Sequence, residues 1–401
     1  MKLKALSLIL AGLATAAIGT SALAQKKYDP GATDTQIKIG NIDAYSGPAS
    51  AYGTIAKTEA AYFKMINDQG GINGRKIDFI SYDDGYNPAK TVEQARKLVE
   101  EDEVLLIFNP LGTPPNLAIQ KYMNSKKVPQ LFVASGASRW GDPKHFPYTM
   151  GFQPTYKAEG KIYAAHILET NPKAKIGVLY QNDDFGKDYL DGFEEGLGDK
   201  AKTMIVSKQS YEVTDPTVDS QMVSLKASGA DTFLNITTPK FAAQAIKKAA
   251  EIGWKPTQYL TNVSISVASV MKPAGLQNGV GIITAAYGKD PTDPQWAKDP
   301  GMEAWTAFMK KYYPEGSLTD ANNVYGYSAA QTMVQVLKQA GDNLTHDNIM
   351  KQAASLDMTL PMLLPGVNVK TGPDDFYPIE REQLARFDGT TWKLFGKVYG
   401  P

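Results

Sequence analysis

The stretch from Val104 to Ser138 reads VLLIFNPLGTPPNLAIQKYMNSKKVPQLFVASGAS, and its order decides the fold. Val104–Phe108 is an apolar run without a polar break, the pattern of a strand buried on both faces. Asn109-Pro110-Leu111-Gly112-Thr113-Pro114 interrupts it with turn residues. Ala118–Asn124 is helical, Val128–Val133 is a second strand, and Ala134-Ser135-Gly136-Ala137-Ser138 is the next loop. A strand, a crossover helix and a strand make a βαβ unit, and such units build parallel sheets.

The same alternation extends in both directions. Upstream lie a strand at Ile37–Ile42, a helix at Gly53–Asp68 ended by Gly70-Gly71, a strand at Lys76–Tyr82 and a helix opened by Pro88. Downstream, helices at Tyr156–Glu169, from Asp184 as cap to Leu197, at Thr217–Ala227 and at Phe241–Ile252 alternate with strands. Those strands are Ile176–Tyr180, Met204–Ser207, Thr232–Ile236 and Tyr259–Leu260. Helices at Gly301–Tyr312 and Val324–Ala340 follow, and Phe387–Trp392 reads as a hairpin turning at Asp388-Gly389. The expected class is α/β, with two similar lobes. No low-complexity linker separates them, so the lobes are expected to exchange chain more than once.

Length and charge narrow the function. The chain of 401 residues suits two domains. Lys2 and Lys4, an uncharged run from Ala5 to Ile18, and Ser21-Ala22-Leu23-Ala24 have the layout of a secretory signal peptide cut after Ala24. The apolar run is short of the ~20 residues a membrane span needs, which disfavours an uncleaved anchor. The protein is expected in the periplasm. Basic and acidic residues number 42 each, and losing Lys2 and Lys4 leaves 42 − 2 = 40 basic against 42 acidic. Nothing there attracts a polyanion, so no nucleic-acid partner is expected. The absence of cysteine excludes thiol catalysis and Cys-ligated metals.

No catalytic or cofactor pattern stands out. His145, His166 and His346 have no metal spacing, and lone histidines are usually surface or boundary residues. Asp83-Asp84 and Asp183-Asp184 follow strands, where helix capping is the ordinary role. Gly279-Val280-Gly281 lacks the third glycine of a dinucleotide fingerprint, and there is no GxxxxGK[ST] or GxSxG. No enzyme activity, cofactor or metal is expected. Three loops after strands, Ala44–Pro48, Asn109–Pro114 and Ala134–Ser138, are instead rich in small and hydroxyl residues. Each is expected to precede a helix. They are either ordinary tight connections or backbone N–H cradles for a small anionic ligand.

In this order the loops resemble the periplasmic branched-chain amino acid (Leu/Ile/Val) binding protein family of ABC importers. The marks are Ile39-Gly40, Ser46-Gly47-Pro48 with Tyr52-Gly53, and Ile66-Asn67 leading to Gly70-Gly71-Ile72-Asn73-Gly74. Tyr82-Asp83-Asp84 with Pro88, then Gln181-Asn182-Asp183-Asp184-Phe185-Gly186, complete the set. The resemblance implies two Rossmann-like lobes with parallel central sheets, joined by a three-stranded hinge. It implies residues 29–153 with 287–365 in one lobe and 154–286 with 366–401 in the other. It also implies a monomer that delivers a small-molecule ligand to a membrane permease.

The departures from the family concern the ligand. Where amino-acid-binding members offer a Ser and a Thr to the ligand carboxylate, this chain has Gly112, beside Thr113, and Gly136, near Ser135 and Ser138. Where they offer a Glu to the ammonium, it has Val263. The two positions of the family's disulfide hold Tyr86 and Leu111. A buried ammonium without a carboxylate is expensive. The expected ligand is therefore a carboxylic acid with an apolar or aromatic body and no α-amine. The expected site is Tyr52, Gly112, Thr113, Ala134, Ser135, Gly136, Phe185, Thr238 and Val263, with Trp140 either a wall or simple core. A hydrophobic amino acid is the first alternative ligand, and a ligand-sensing receptor module the alternative role.

Overall fold

The computed structural model describes residues 26–400, so the expected signal segment 1–24 lies outside the described residues. Strands β1 (Gln36–Asp43), β2 (Lys76–Asp83), β3 (Leu106–Phe108), β4 (Gln130–Val133) and β5 (Thr149–Gly151) form one sheet in the order 2-1-3-4-5, parallel throughout. Strands β6 (Ile176–Gln181), β7 (Ile205–Tyr211), β8 (Thr232–Ile236), β9 (Thr257–Leu260), β10 (Ile283–Ala286), β11 (Glu382–Phe387) and β12 (Trp392–Tyr399) form the other. Its order is 12-11-10-9-8-6-7, with β11 and β12 as an antiparallel hairpin at the edge. The parallel part of the second sheet repeats the 2-1-3-4-5 order of the first. In such sheets the chain reverses direction beside the first strand, and ligands bind outside the carboxyl ends of the strands at that point.

The helices follow the alternation in the sequence, with informative differences at their ends. Asp183, rather than Asp184, caps the helix Asp184–Leu197, accepting the N–H groups of Phe185 at 3.0 Å and Gly186 at 3.3 Å. Asn87 caps the helix begun by Pro88, and Asp83 instead accepts Tyr45 N–H at 2.9 Å. The loop Ala134–Ser138 leads only to a 3-10 turn at Ser138–Gly141, not to the expected helix. Pro143 and Pro147 lie just beyond and deny a helix its backbone donors.

The helices Pro300–Tyr312 and Ala321–Ala340 return to the first sheet. Tyr62 of the helix Thr54–Asp68 meets Phe308 at 5.7 Å and Tyr327 edge-on at 5.2 Å, ring centre to ring centre. Each such pair contributes about 0.5–1.5 kcal/mol beyond the area it buries. The chain thus passes between the two sheets three times: after Gly151, after Ala286, and between Ala353 and Glu382. The second and third passages are bonded to each other, Lys289 N–H to Met362 O and Leu364 N–H to Tyr287 O, both at 2.8 Å.

Candidate functional site

The carboxyl ends of the two sheets face one cleft, of about 1210 Å³ including the part open to solvent. Its walls come from both switch points. The first sheet supplies Tyr52, Leu111, Gly112 and Ala134, and the second supplies Phe185, Thr238 and Val263. Six of the nine residues singled out in the sequence line this space: Tyr52, Gly112, Ala134, Phe185, Thr238 and Val263.

Thr113, Ser135 and Gly136 sit just behind the wall. Thr113 and Ser135 are buried, and their hydroxyls bond each other at 2.6 Å. Ser135 Oγ also accepts Trp140 Nε1–H at 3.0 Å and Ala137 N–H at 3.2 Å. Trp140, 1% exposed, is therefore an anchor for the loop and does not line the cleft. Gly136 O accepts Tyr156 N–H at 2.7 Å, and a Cβ on Gly136 would fall 2.5 Å from Pro154 O.

Backbone geometry shapes the first wall. Asn109 (φ 49°) and Phe132 (φ 58°) both hold left-handed conformations that a non-glycine residue rarely adopts. Phe132 sits in an irregularity of β4, and Asn109 Nδ2 ties the two together by donating to Phe132 O at 2.6 Å. Such bulges re-aim the residues after them, here Ala134 and Ser135. Gly112 is left-handed too (φ 91°), and a Cβ there would lie 2.4 Å from the Tyr86 ring. Tyr86 and Leu111 share one apolar cluster with Tyr52 and Ala134. The loss of a side chain at Gly112 and the ring at Tyr86 are thus one packing solution. Pro114 and Pro115 open the helix Thr113–Lys126 and remove two of its free N–H donors, which narrows the anion cradle expected there.

The second wall is set from beneath. Glu159 is buried and accepts Tyr163 O–H and Asn262 N–H, each at 2.7 Å. Burial raises its carboxyl to about 7, against those hydrogen bonds. It holds the turn Asn262–Ser264, so that Val263 lines the cleft. Tyr52, from the opposite wall, donates its hydroxyl to Val263 O at 3.0 Å. Burial drives the Tyr52 phenol well above its ordinary value.

Tyr52 and Phe185 are the expected aromatic walls, but most of the aromatic content of the cleft is not marked in the sequence. Tyr86, Phe152, Tyr156, Tyr287, Trp296, Tyr325 and Trp392 all line it. In the sequence Tyr156 marks only the start of a helix. Its phenol is pushed to about 12 by burial, opposed by the Gly136 backbone and the Ser135 and Thr113 hydroxyls beside it. Most of these residues come from passages between the sheets or from the helix Ala321–Ala340, where no local motif marks them; Tyr86 follows β2 and Trp392 opens β12.

Among the described lining residues the charged ones are Lys289 and Asp290, and both are already engaged. Lys289 Nζ meets Asp299 at 2.7 Å, and Asp290 accepts Thr391 O–H at 2.9 Å and Trp392 N–H at 3.0 Å. The middle of the cleft holds neither a carboxylate for an ammonium nor a free cation for an acid. Its polar groups are hydroxyls, amides and backbone.

The model of the periplasmic binding protein family matches residues 36–388. A Leu/Ile/Val-binding protein homolog 7 from Brucella suis is 25% identical over 315 residues, covering 76% of this chain and 77% of that protein. Among solved structures, a branched-chain amino acid ABC transporter protein from Thermus thermophilus with bound valine superposes with a TM-score of 0.82 at 16% identity, over 92% of this chain and 98% of the other. A fatty acid ABC transporter substrate-binding protein from Thermomonospora curvata gives 0.77 at 22% identity, over 94% and 95%. A solute-binding protein from R. palustris in complex with 4-hydroxybenzoate gives 0.76 at 18%, over 91% and 97%. At these identities the solved structures speak for the fold alone. With the fold, the facing switch points and a family match over most of its length, the chain belongs to the periplasmic binding protein family.

Proposed function

We propose that this protein captures an apolar or aromatic carboxylic acid lacking an α-amine and hands it, unaltered, to the membrane permease of an ABC importer. One observation carries the ligand class: among the described residues the carboxylate lining the cleft, Asp290, is taken up by Thr391 and Trp392, and Val263 lines the cleft where the family resemblance puts the ammonium's Glu. The acid's carboxylate would rest at the Gly112 and Gly136 end, near the Thr113 and Ser135 hydroxyls, with its body among the aromatic rings. The breadth of neighbouring structures, with valine or 4-hydroxybenzoate bound or named for fatty acids, supports variation of ligand on one fold.

Binding works by closure. The lobes, 29–153 with 287–365 and 154–286 with 366–401, would rotate about the three passages between them and bury the ligand. Only the closed form lets one molecule touch both walls, so the ligand stabilises that form. The permease would read the closed pair of surfaces. The protein would act as a monomer in the periplasm, after removal of residues 1–24. The names of the Brucella relatives favour a second reading, a branched-chain amino acid as ligand.

A thermal-shift screen of branched-chain amino acids against aliphatic and aromatic acids tests this. A ligand at 100 times its Kd adds about 2.7 kcal/mol of stability. Stabilisation by amine-free acids is the expected result. Stabilisation by leucine or valine alone would overturn the ligand class.

A further inference from the structure

The cleft is longer than the clamp around Gly112, Ala134 and Val263. Its lining continues from the carboxyl end of the second sheet back along one face of the hairpin of β11 and β12, over Ala385, Leu394 and Trp392. Strand register measures it. Ala286, at the cleft end of β10, pairs with Gln383, whereas Trp392 pairs with Phe387, four residues further along β11. Because β11 runs antiparallel to β10, at about 3.3 Å per residue the Trp392 backbone lies about 13 Å back from the cleft end, along the face of the hairpin.

Its surface is apolar. Leu394 pairs with Ala385, and Trp392 lies two residues away, so all three side chains share one face of the hairpin. Trp296 and Ile265 close the other side. The polar groups nearby are spent: Trp392 Nε1 donates to Ile265 O at 2.8 Å, and Lys393 Nζ meets Asp293 at 2.7 Å. An amino acid or a single-ring acid held at the Gly112 end would leave this compartment without an occupant.

We infer that the ligand is an elongated monocarboxylic acid whose unbranched tail lies along the β11–β12 hairpin, between Trp392, Leu394 and Trp296. This rests on the acid-binding reading of the cleft and adds the shape of the acid. A zigzag of 1.52 Å carbon–carbon bonds advances roughly 1.3 Å per carbon. A tail running from the cleft end to the level of Trp392 would therefore be about ten carbons long.

Titration calorimetry with straight-chain monocarboxylates from butyrate to tetradecanoate, and with benzoate, tests the inference on the unaltered protein. Each buried methylene should tighten binding about fourfold, and the gain should stop near ten to twelve carbons. The half-buried Leu394 gives a second handle. Leu394→Trp should weaken decanoate at least tenfold and leave butyrate and benzoate unchanged. Affinity independent of chain length, or an equal loss for benzoate and decanoate in Leu394→Trp, would overturn the tail compartment while leaving the acid reading intact. Failure of every acid in the series to bind would overturn both.

Discussion

Replacing Val263 by Glu should reverse the choice between an amino acid and the same acid without its amine. Val263 lines the cleft, and its own carbonyl is within hydrogen-bond reach of Tyr52 from the opposite wall. A carboxylate there would meet an ammonium bound between the walls. Breaking a buried ion pair by removing one partner costs about 3–5 kcal/mol, or roughly two to four decades in affinity at 1.36 kcal/mol per decade. Val263 is only half-buried, so the lower end applies, about 100-fold. The cleanest assay titrates leucine and 4-methylpentanoate, which share a carbon skeleton and differ in the amine. The unaltered protein should bind 4-methylpentanoate the more tightly. In Val263→Glu the ratio should move toward leucine by about 100-fold. A ratio that does not move, or an unaltered protein that already prefers leucine, would refute the assignment of this position.

Three further outcomes are expected. Ser135→Ala strands Trp140 Nε1–H and Ala137 N–H in the interior, so a urea melt should show a loss of about 1–3 kcal/mol, with weaker acid binding. Gly112→Ala should also destabilise, by about 1–3 kcal/mol in the same melt, because its left-handed backbone strains any side chain and the new Cβ meets the Tyr86 ring. The third concerns pH. Burial raises the Asp43 carboxyl from 3.8 to about 7. Between those values the folded state holds a proton that the unfolded state has lost, so stability falls as pH rises from about 4 to about 7. Asp43→Asn, which keeps an acceptor for Ala44 N–H, should flatten that fall in melts run at pH 5 and pH 8. Equal slopes would assign the pH dependence elsewhere.

Local pattern was enough wherever one element buries its own signal. The run Val104–Phe108, the alternation along Lys76–Tyr82 and the helix start at Pro88 announce themselves within a few residues, whereas the cap of the next lobe's first βα turn falls on Asp183, one residue before the expected Asp184. The loops of the site were legible for the same reason, since Gly112, Ala134 and Val263 follow strands in recognisable order. Other members of the site had no such mark. Tyr156 looks like any aromatic at the start of a helix, and Trp296 and Trp392 like any packed indole. Pro114 and Pro115 were in plain view, yet their effect on the anion cradle emerged only once the helix was seen to begin at Thr113. The Asp-Gly turn at Asp388-Gly389 was readable, but not that its hairpin would wall a compartment.

Strand and helix periods, the missing cysteines and the family's loop order are properties of neighbouring residues, so the chain alone determined an α/β protein of two lobes and its family. Which side chains share the cleft depends on residues more than 200 positions apart, such as Tyr52 and Val263. Only the folded chain brings these together, because the three passages between the sheets place distant segments on one surface. Whether Thr113 and Ser135 face a ligand or each other is likewise a matter of packing, and here their hydroxyls meet at 2.6 Å behind the wall.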